Sequence, residues 1–130
     1  WINPFFTSGH WVPEMIEISG GVNMITKTGE HSRKMRIEEI EKENPDVLIL
    51  MPCGFDVQRT VSEYEKNLKN DPRWNQLKAV REREVFAVDA NSFFSKPSIR
   101  VVTGIEILAK ILHPEMFEEL EVPNNSFLKI

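Results

Sequence analysis

The stretch Val47–Met51 reads VLILM, and no other feature of the chain narrows its fold as much. Asn44-Pro45-Asp46 precedes it and Pro52-Cys53-Gly54 follows it, both strong breakers of regular structure. The run is far shorter than the roughly 20 residues that span a bilayer. A short, continuously apolar run between turn signals suits a β-strand covered on both faces. A second such run, Val85–Val88, sits inside REREVFAVDAN. Between them lies VQRTVSEYEKNLKN, where Val57, Val61, Tyr64 and Leu68 recur at helical spacing. Two strands separated by about thirty residues that contain a helix form a βαβ unit, whose crossover is expected to be right-handed. The fold class predicted is α/β, a three-layer αβα arrangement around a mostly parallel sheet.

Three further helices are predicted. VPEMIEISGG has Pro13 in its first turn, apolar Met15, Ile16 and Ile18, and a stop at Gly20-Gly21. RIEEIEKENPD places Ile37 and Ile40 on one side, solvates Glu38, Glu39 and Glu41, and ends at Asn44-Pro45. SIRVVTGIEILAKILHPEMF gives an inward stripe of Val102, Ile105, Leu108, Ala109 and Leu112, with His113 at its end. Pro123-Asn124-Asn125 begins a tail expected to fray.

With 130 residues the chain suits one domain with one packed core. Its net charge of -4 comes from interspersed acids and bases, which speaks against nucleic acid or an anionic membrane surface as partner. A single cysteine, Cys53, excludes an internal disulfide. The chain opens on Trp1, so it is expected to be a piece of a longer protein whose start would carry any export signal.

In open α/β sheets ligands bind beyond the carboxyl ends of the strands. MPCGF follows the first strand and VDANSFFSKP the second. WINPFFTSGHW makes a third such loop if Trp1-Ile2 closes a strand lying before it. All three loops carry aromatics: Phe5, Phe6 and Trp11; Phe55; Phe93 and Phe94. Prolines and a glycine argue against regular structure through residues 4 to 13, yet so many rings exceed what a solvated loop needs. Two explanations stand: an aromatic-walled pocket shared by the three loops, or rings that cap the end of the sheet.

The polar residues are less telling. Cys53 is expected to be a small buried thiol at a strand end, with a nucleophilic role beside His10 as the rival. His10 can serve as a metal ligand, but without a second ligand at defined spacing it also serves as a polar pocket residue. His31 is expected in solvent, and the three histidines do not make a zinc site. Glu63 and Glu65 lie on a solvated helix face. Gly20-Gly21 ends a helix instead of opening one, so it is no dinucleotide fingerprint.

WINPFFTSGHWVPEMIEISGG, NPDVLILMPCGF, VFAVDANSFFSKPSIR and GIEILAKILHPEMF, in that order and over nearly the whole chain, resemble the C-terminal lobe of cobalamin-binding substrate-binding proteins of ABC importers. The resemblance implies one lobe of a bilobed class III receptor, with residues 1–130 as that lobe and an N-terminal lobe joined through a long helix. It implies no catalysis and no resident cofactor: cobalamin or another corrinoid is the transported ligand, an ABC permease the partner, and the location periplasmic or extracellular at the membrane. Phe6, Ser8 and Gly9 match the family's loop near the cleft, and Phe94 its aromatic pair, with Phe93 where many relatives have Trp. Ser92 and Lys96 stand where vitamin-binding relatives often bracket that pair with an acid and a base, so the cation is kept and the carboxylate is not.

The candidate ligand contacts are therefore Phe6, Ser8, Gly9, His10, Trp11, Gly54, Phe55, Ser92, Phe93, Phe94 and Lys96, with Arg100 as a further cation. Aromatic faces suit a corrinoid ring, backbone amides at Gly9 and Gly54 suit its amide or phosphate oxygens, and Lys96 adds a charge-assisted contact. A siderophore or haem receptor on the same fold is the alternative, as is a thiol enzyme using Cys53. The aromatic rim of a lone lobe also predicts a dimer through the exposed cleft face.

Overall fold

A computed structural model describes all of residues 1–130. Three strands form one sheet in the order β1 (Leu48–Leu50), β2 (Val85–Val88) and β3 (Phe127–Lys129). β1 and β2 pair in parallel, Leu48 opposite Val85 and Leu50 opposite Ala87. The intervening chain holds α3 (Val57–Asn67), a 3-10 turn (Trp74–Gln76) and α4 (Lys78–Arg81). The βαβ unit is thus present. The two short elements after α3 were not foreseen.

Strand alternation sorts the core into two halves. On one face Phe86 and Val88 pack with Val12 and Met15 of α1 (Val12–Ile18) and with Ile107, Leu108 and Ile111 of α6 (Arg100–Leu112), while Val47, Ile49 and Met51 lean on the same cluster. On the other, Val85 packs with Ile40 of α2 (Ile37–Glu43), Leu68 and Trp74, joined by Leu48 and Leu50. Helices cover both faces, so the architecture is the three-layer αβα expected.

Local chemistry explains the helix ends. Asp56 caps α3 by accepting from the Arg59 amide at 2.8 Å. The Arg36 amide donates to Glu39 at the start of α2, and Asn44 closes that helix with φ 43°. His113 ends α6 and sits 3.2 Å from the Gly20 carbonyl, which joins the ends of α1 and α6.

Three expectations are corrected. The tail does not fray: Phe127–Lys129 pairs antiparallel with β2, because Ser126 is buried and its carbonyl accepts from the Asp89 amide. Leu108 and Ala109 of the expected α6 stripe are buried, but the rest of the inward face is Gly104, Ile107 and Ile111, with Ile105 only half-buried and Val102 in solvent at 51% exposure. Gly104 sets that rotation: a Cβ there would lie 2.8 Å from the Phe93 carbonyl, so this side of the helix approaches the chain closely. Finally, β1 is only half-buried along its length, whereas every residue of β2 is buried. No helix is long and apolar enough to cross a membrane.

Candidate functional site

The loops that follow β1 and β2 meet the opening segment at one end of the sheet. Residues 5–10 are held as a ribbon against residues 29–35: Thr7 N–H donates to the Arg33 carbonyl at 2.9 Å, His10 N–H to Glu30 at 2.7 Å and Met35 N–H to Phe5 at 3.0 Å. Gly9 is where the two segments touch most closely, since a Cβ there would lie 2.3 Å from the Ser32 nitrogen. Only glycine fits that crossing.

Hydrogen bonds then tie the loops to one another. Trp11 Nε1 donates to the Phe94 carbonyl at 3.1 Å. The Gly54 amide donates to Ser95 Oγ at 2.9 Å, and the Asn91 amide to the Phe55 carbonyl at 3.0 Å. The Phe6 amide donates to the Trp1 carbonyl, and the Trp1 ring meets Phe55 edge-on at 5.5 Å. The Arg59 guanidinium lies 3.8 Å from the Phe55 ring centroid.

Burial separates the predicted contacts. Phe55 and Phe94 are 6% and 4% exposed, so their rings mainly seal the end of the core. Phe6, Trp11 and Phe93 are half-buried, and Trp1 is 53% exposed. Ser8 is half-buried, its carbonyl accepting from Thr26 Oγ1. Gly9 is buried under residues 30–32. The Gly54 amide is occupied by Ser95. Ser92 is half-buried in α5 (Ala90–Phe93), a short helix capped by Asp89, and Lys96 lies exposed just beyond it. Phe55 and Phe94 thus cap the sheet, whereas Trp1 is exposed and Phe6, Trp11 and Phe93 keep part of their surface.

His10 adopts φ 59° and its exposed ring faces His31 at 5.0 Å, beside Trp11 at 5.7 Å. No third ligand joins the two histidines, and no group of three His, Cys, Asp or Glu gathers anywhere that could hold a metal ion. Cys53 is exposed, which corrects the expectation of a buried thiol: the turn after β1 carries residues 53 and 54 outward while Pro52 and Phe55 turn in. Glu63 accepts from Asn67 and Glu65 pairs with Lys69 at 3.0 Å, both on the outer face of α3.

Arg59 and Ser95 complete the rim and were not among the residues singled out from sequence, while Trp1 was read there as part of the aromatic opening loop and not as a ligand contact. Arg59 stands four residues after Phe55, at the first turn of α3, a spacing that brings it back over the ring. Arg59, Lys96 and Arg100 make no ion pair, unlike Arg33, Arg73 and Lys78. The rim therefore combines aromatic surface with cationic side chains that form no salt bridge, near the capping carboxylates Asp56 and Asp89.

A model of the family described as periplasmic binding protein matches residues 2–92. Among solved structures, the chain is similar to the TroA-like periplasmic binding protein FepB from Veillonella parvula, with TM-score 0.71 and 17% identity over 89% of this chain and 37% of that one. It is similar to the molybdate periplasmic binding protein MolA of an ABC transporter from Haemophilus influenzae, with TM-score 0.72 and 21% identity over 91% and 35%. It is also similar to Ceue from Helicobacter pylori, solved with Ni(II) bound, with TM-score 0.61 and 20% identity over 89% and 36%. The chain thus spans little more than a third of the length of these structures. No curated protein matches it.

Proposed function

We propose, starting from the fact that the chain belongs to the periplasmic binding protein family, that it forms one wall of the ligand cleft of a receptor serving an ABC importer. The ligand is a metal chelate, and its specific identity in this reading is cobalamin or a related corrinoid. The receptor works outside the cytoplasmic membrane and hands its ligand to the permease. In this reading it captures and does not catalyse, in keeping with a family of periplasmic binding proteins.

One observation carries the reading. Three loops are cross-linked by hydrogen bonds at the carboxyl end of the parallel strands, where Trp1 is exposed against Phe55, Arg59 lies over the Phe55 ring, and half-buried Phe93 is followed by exposed Lys96. A corrinoid presents a broad apolar ring face, peripheral amides and a phosphate. Flat side chains cover such a face at low entropic cost, and unpaired cations suit the phosphate. Half a cleft holds little of a ligand, so closure against a second wall would supply the rest of the burial.

The same unpaired cations favour a second reading, an anionic siderophore or haem. Titration of the full-length protein with cobalamin, cobinamide, a ferric siderophore and haem, followed by tryptophan fluorescence and calorimetry, separates the two. Tight binding of a corrinoid alone supports the first reading; binding of the siderophore or haem alone replaces it. No response to any chelate removes the receptor proposal.

A further inference from the structure

Spacing along the sequence leaves His10 without a second metal ligand, and the fold provides one. His31 stands beside it across the ribbon, its ring edge-on to that of His10 with centroids 5.0 Å apart and planes at 83°. Both residues are exposed. Of the three histidines only His113 engages its ring in a hydrogen bond, 3.2 Å from the Gly20 carbonyl. The neighbouring Glu30 turns its carboxylate onto the Lys27 amide at 2.9 Å, so the pair stands as two nitrogen donors without a third.

The separation is the one that two imidazoles need around a single ion. A metal–nitrogen bond of ~2.1 Å places the ion ~3.2 Å from each ring centre. Centres 5.0 Å apart then subtend an angle of about 100° at the ion. That value falls between the ~90° of square-planar or octahedral coordination and the ~109° of a tetrahedron. Exposed rings turn within nanoseconds, so only the backbone spacing has to be set beforehand. The chain sets it firmly: His10 N–H donates to the Glu30 carbonyl at 2.7 Å and Gly29 N–H to the His10 carbonyl at 3.0 Å. This two-way bridge holds His10 at φ 59°, a left-handed conformation that few residues with a side chain adopt. Directly beside it the His31 backbone passes over Gly9, where a Cβ would lie 2.9 Å from the His31 carbonyl carbon.

We infer that His10 and His31 together bind a divalent late transition-metal ion, of the nickel, copper or zinc type, through one imidazole nitrogen each. Its other coordination positions stay open to water or to the donors of a small chelator. Imidazole nitrogen suits these ions, whereas magnesium and calcium take oxygen ligands. The pair lies next to the half-buried Trp11, whose ring centroid is 5.7 Å from that of His10 and whose indole is bonded to the Phe94 carbonyl. An ion held there is therefore reported by tryptophan fluorescence, which bound nickel or copper quenches. The two histidines hold it whether or not the cleft takes a corrinoid.

Titration of the untagged full-length protein with Ni(II) chloride and with Ni(II)–nitrilotriacetate, followed by fluorescence and calorimetry, tests this. Nitrilotriacetate leaves two adjacent positions on nickel open, the number this pair fills. Both probes are expected to bind and quench. Tighter binding of free nickel assigns the pair to the ion, tighter binding of the complex to a chelate, and either supports one nickel shared by the rings. His10→Asn, which keeps a residue tolerant of the left-handed backbone, and His31→Gln should each weaken binding at least about tenfold, the loss that even a supporting residue of a metal site incurs. The double variant should lose little more than either single one, and His113→Gln should lose nothing. Nickel binding unchanged in both single variants would overturn the inference. Fully additive losses would overturn it too, by giving each ring its own ion, as would an absence of quenching up to about 1 mM nickel. None of these results turns on whether a corrinoid binds.

Discussion

The Gly54 amide and the Ser95 hydroxyl meet at 2.9 Å, and that contact joins the loop after β1 to the loop after β2. Neither loop packs deeply there: Gly54 is exposed and Ser95 half-buried. The bond therefore positions more than it stabilises. Ser95→Ala is expected to change stability by less than about 1 kcal/mol while weakening ligand binding several-fold. Urea unfolding beside ligand titration checks both, and unchanged affinity would show that the loops hold their places independently.

Arg59 is expected to contact the ligand through its charge. Arg59→Ala leaves the core intact, because the side chain is exposed and makes no ion pair. Affinity for an anionic ligand is expected to fall about tenfold, equivalent to ~1.4 kcal/mol, with unfolding little changed. Equal loss for a neutral ligand would point to lost stacking on Phe55 instead.

Trp11→Phe keeps a ring in place but leaves the Phe94 carbonyl without its donor. The contact is partly buried, so a destabilisation of about 1 kcal/mol is expected in urea unfolding. A wild-type midpoint would mean that water replaces the indole.

Gly9→Ala and Gly29→Ala separate two costs of adding a methyl group. At Gly29, with φ +82° and open space around it, only the left-handed backbone is penalised, by about 1 kcal/mol. At Gly9 the methyl meets backbone atoms of Glu30, His31 and Ser32 that cannot yield like a side chain, so about 2 kcal/mol or more is expected. Thermal unfolding of both variants gives the order, and the reverse order would mean the ribbon of residues 29–35 is free to move away.

Acid weakens the α2 side of the molecule. Hydrogen bonds from Arg73 hold Glu38 and Glu41 below the ordinary carboxylate range, and Arg33 does the same for Glu39. A depressed folded-state pKa contributes stability that is complete above the unfolded value and lost as pH falls through the folded one. The urea midpoint should therefore be flat from neutrality to about pH 5.5 and decline below about 4.5. These pairs are exposed, so the decline should be small and smaller at about 0.5 M salt than at about 0.02 M. Arg73→Gln should flatten the acid limb; an unaltered limb would assign it to other carboxylates.

Apolar runs and helical spacing made the strands at 48–50 and 85–88 and the four main helices legible, since period and breakers are local properties. The motif order likewise carried the family. β3 was illegible because FLK is too short to signal a strand and becomes one only by pairing with Phe86–Val88. The rotation of α6 escaped for a related reason. Leu108 and Ala109 were read correctly, but Val102, Ile105 and Leu112 extend them into as regular a stripe as Gly104, Ile107 and Ile111 do, and the close approach of Gly104 to Phe93 favours the second.

Sequence by itself therefore determined the layers, the order of elements and the presence of three aromatic loops at one end, because each follows from neighbours along the chain. Tertiary structure alone decided which rings stay open, that Arg59 lies over Phe55 and that Cys53 faces solvent. It also placed β1 at the edge of the sheet. Those properties depend on contacts between residues distant in sequence, and burial of a ring or pairing of an edge cannot be assigned until the packing partner is known.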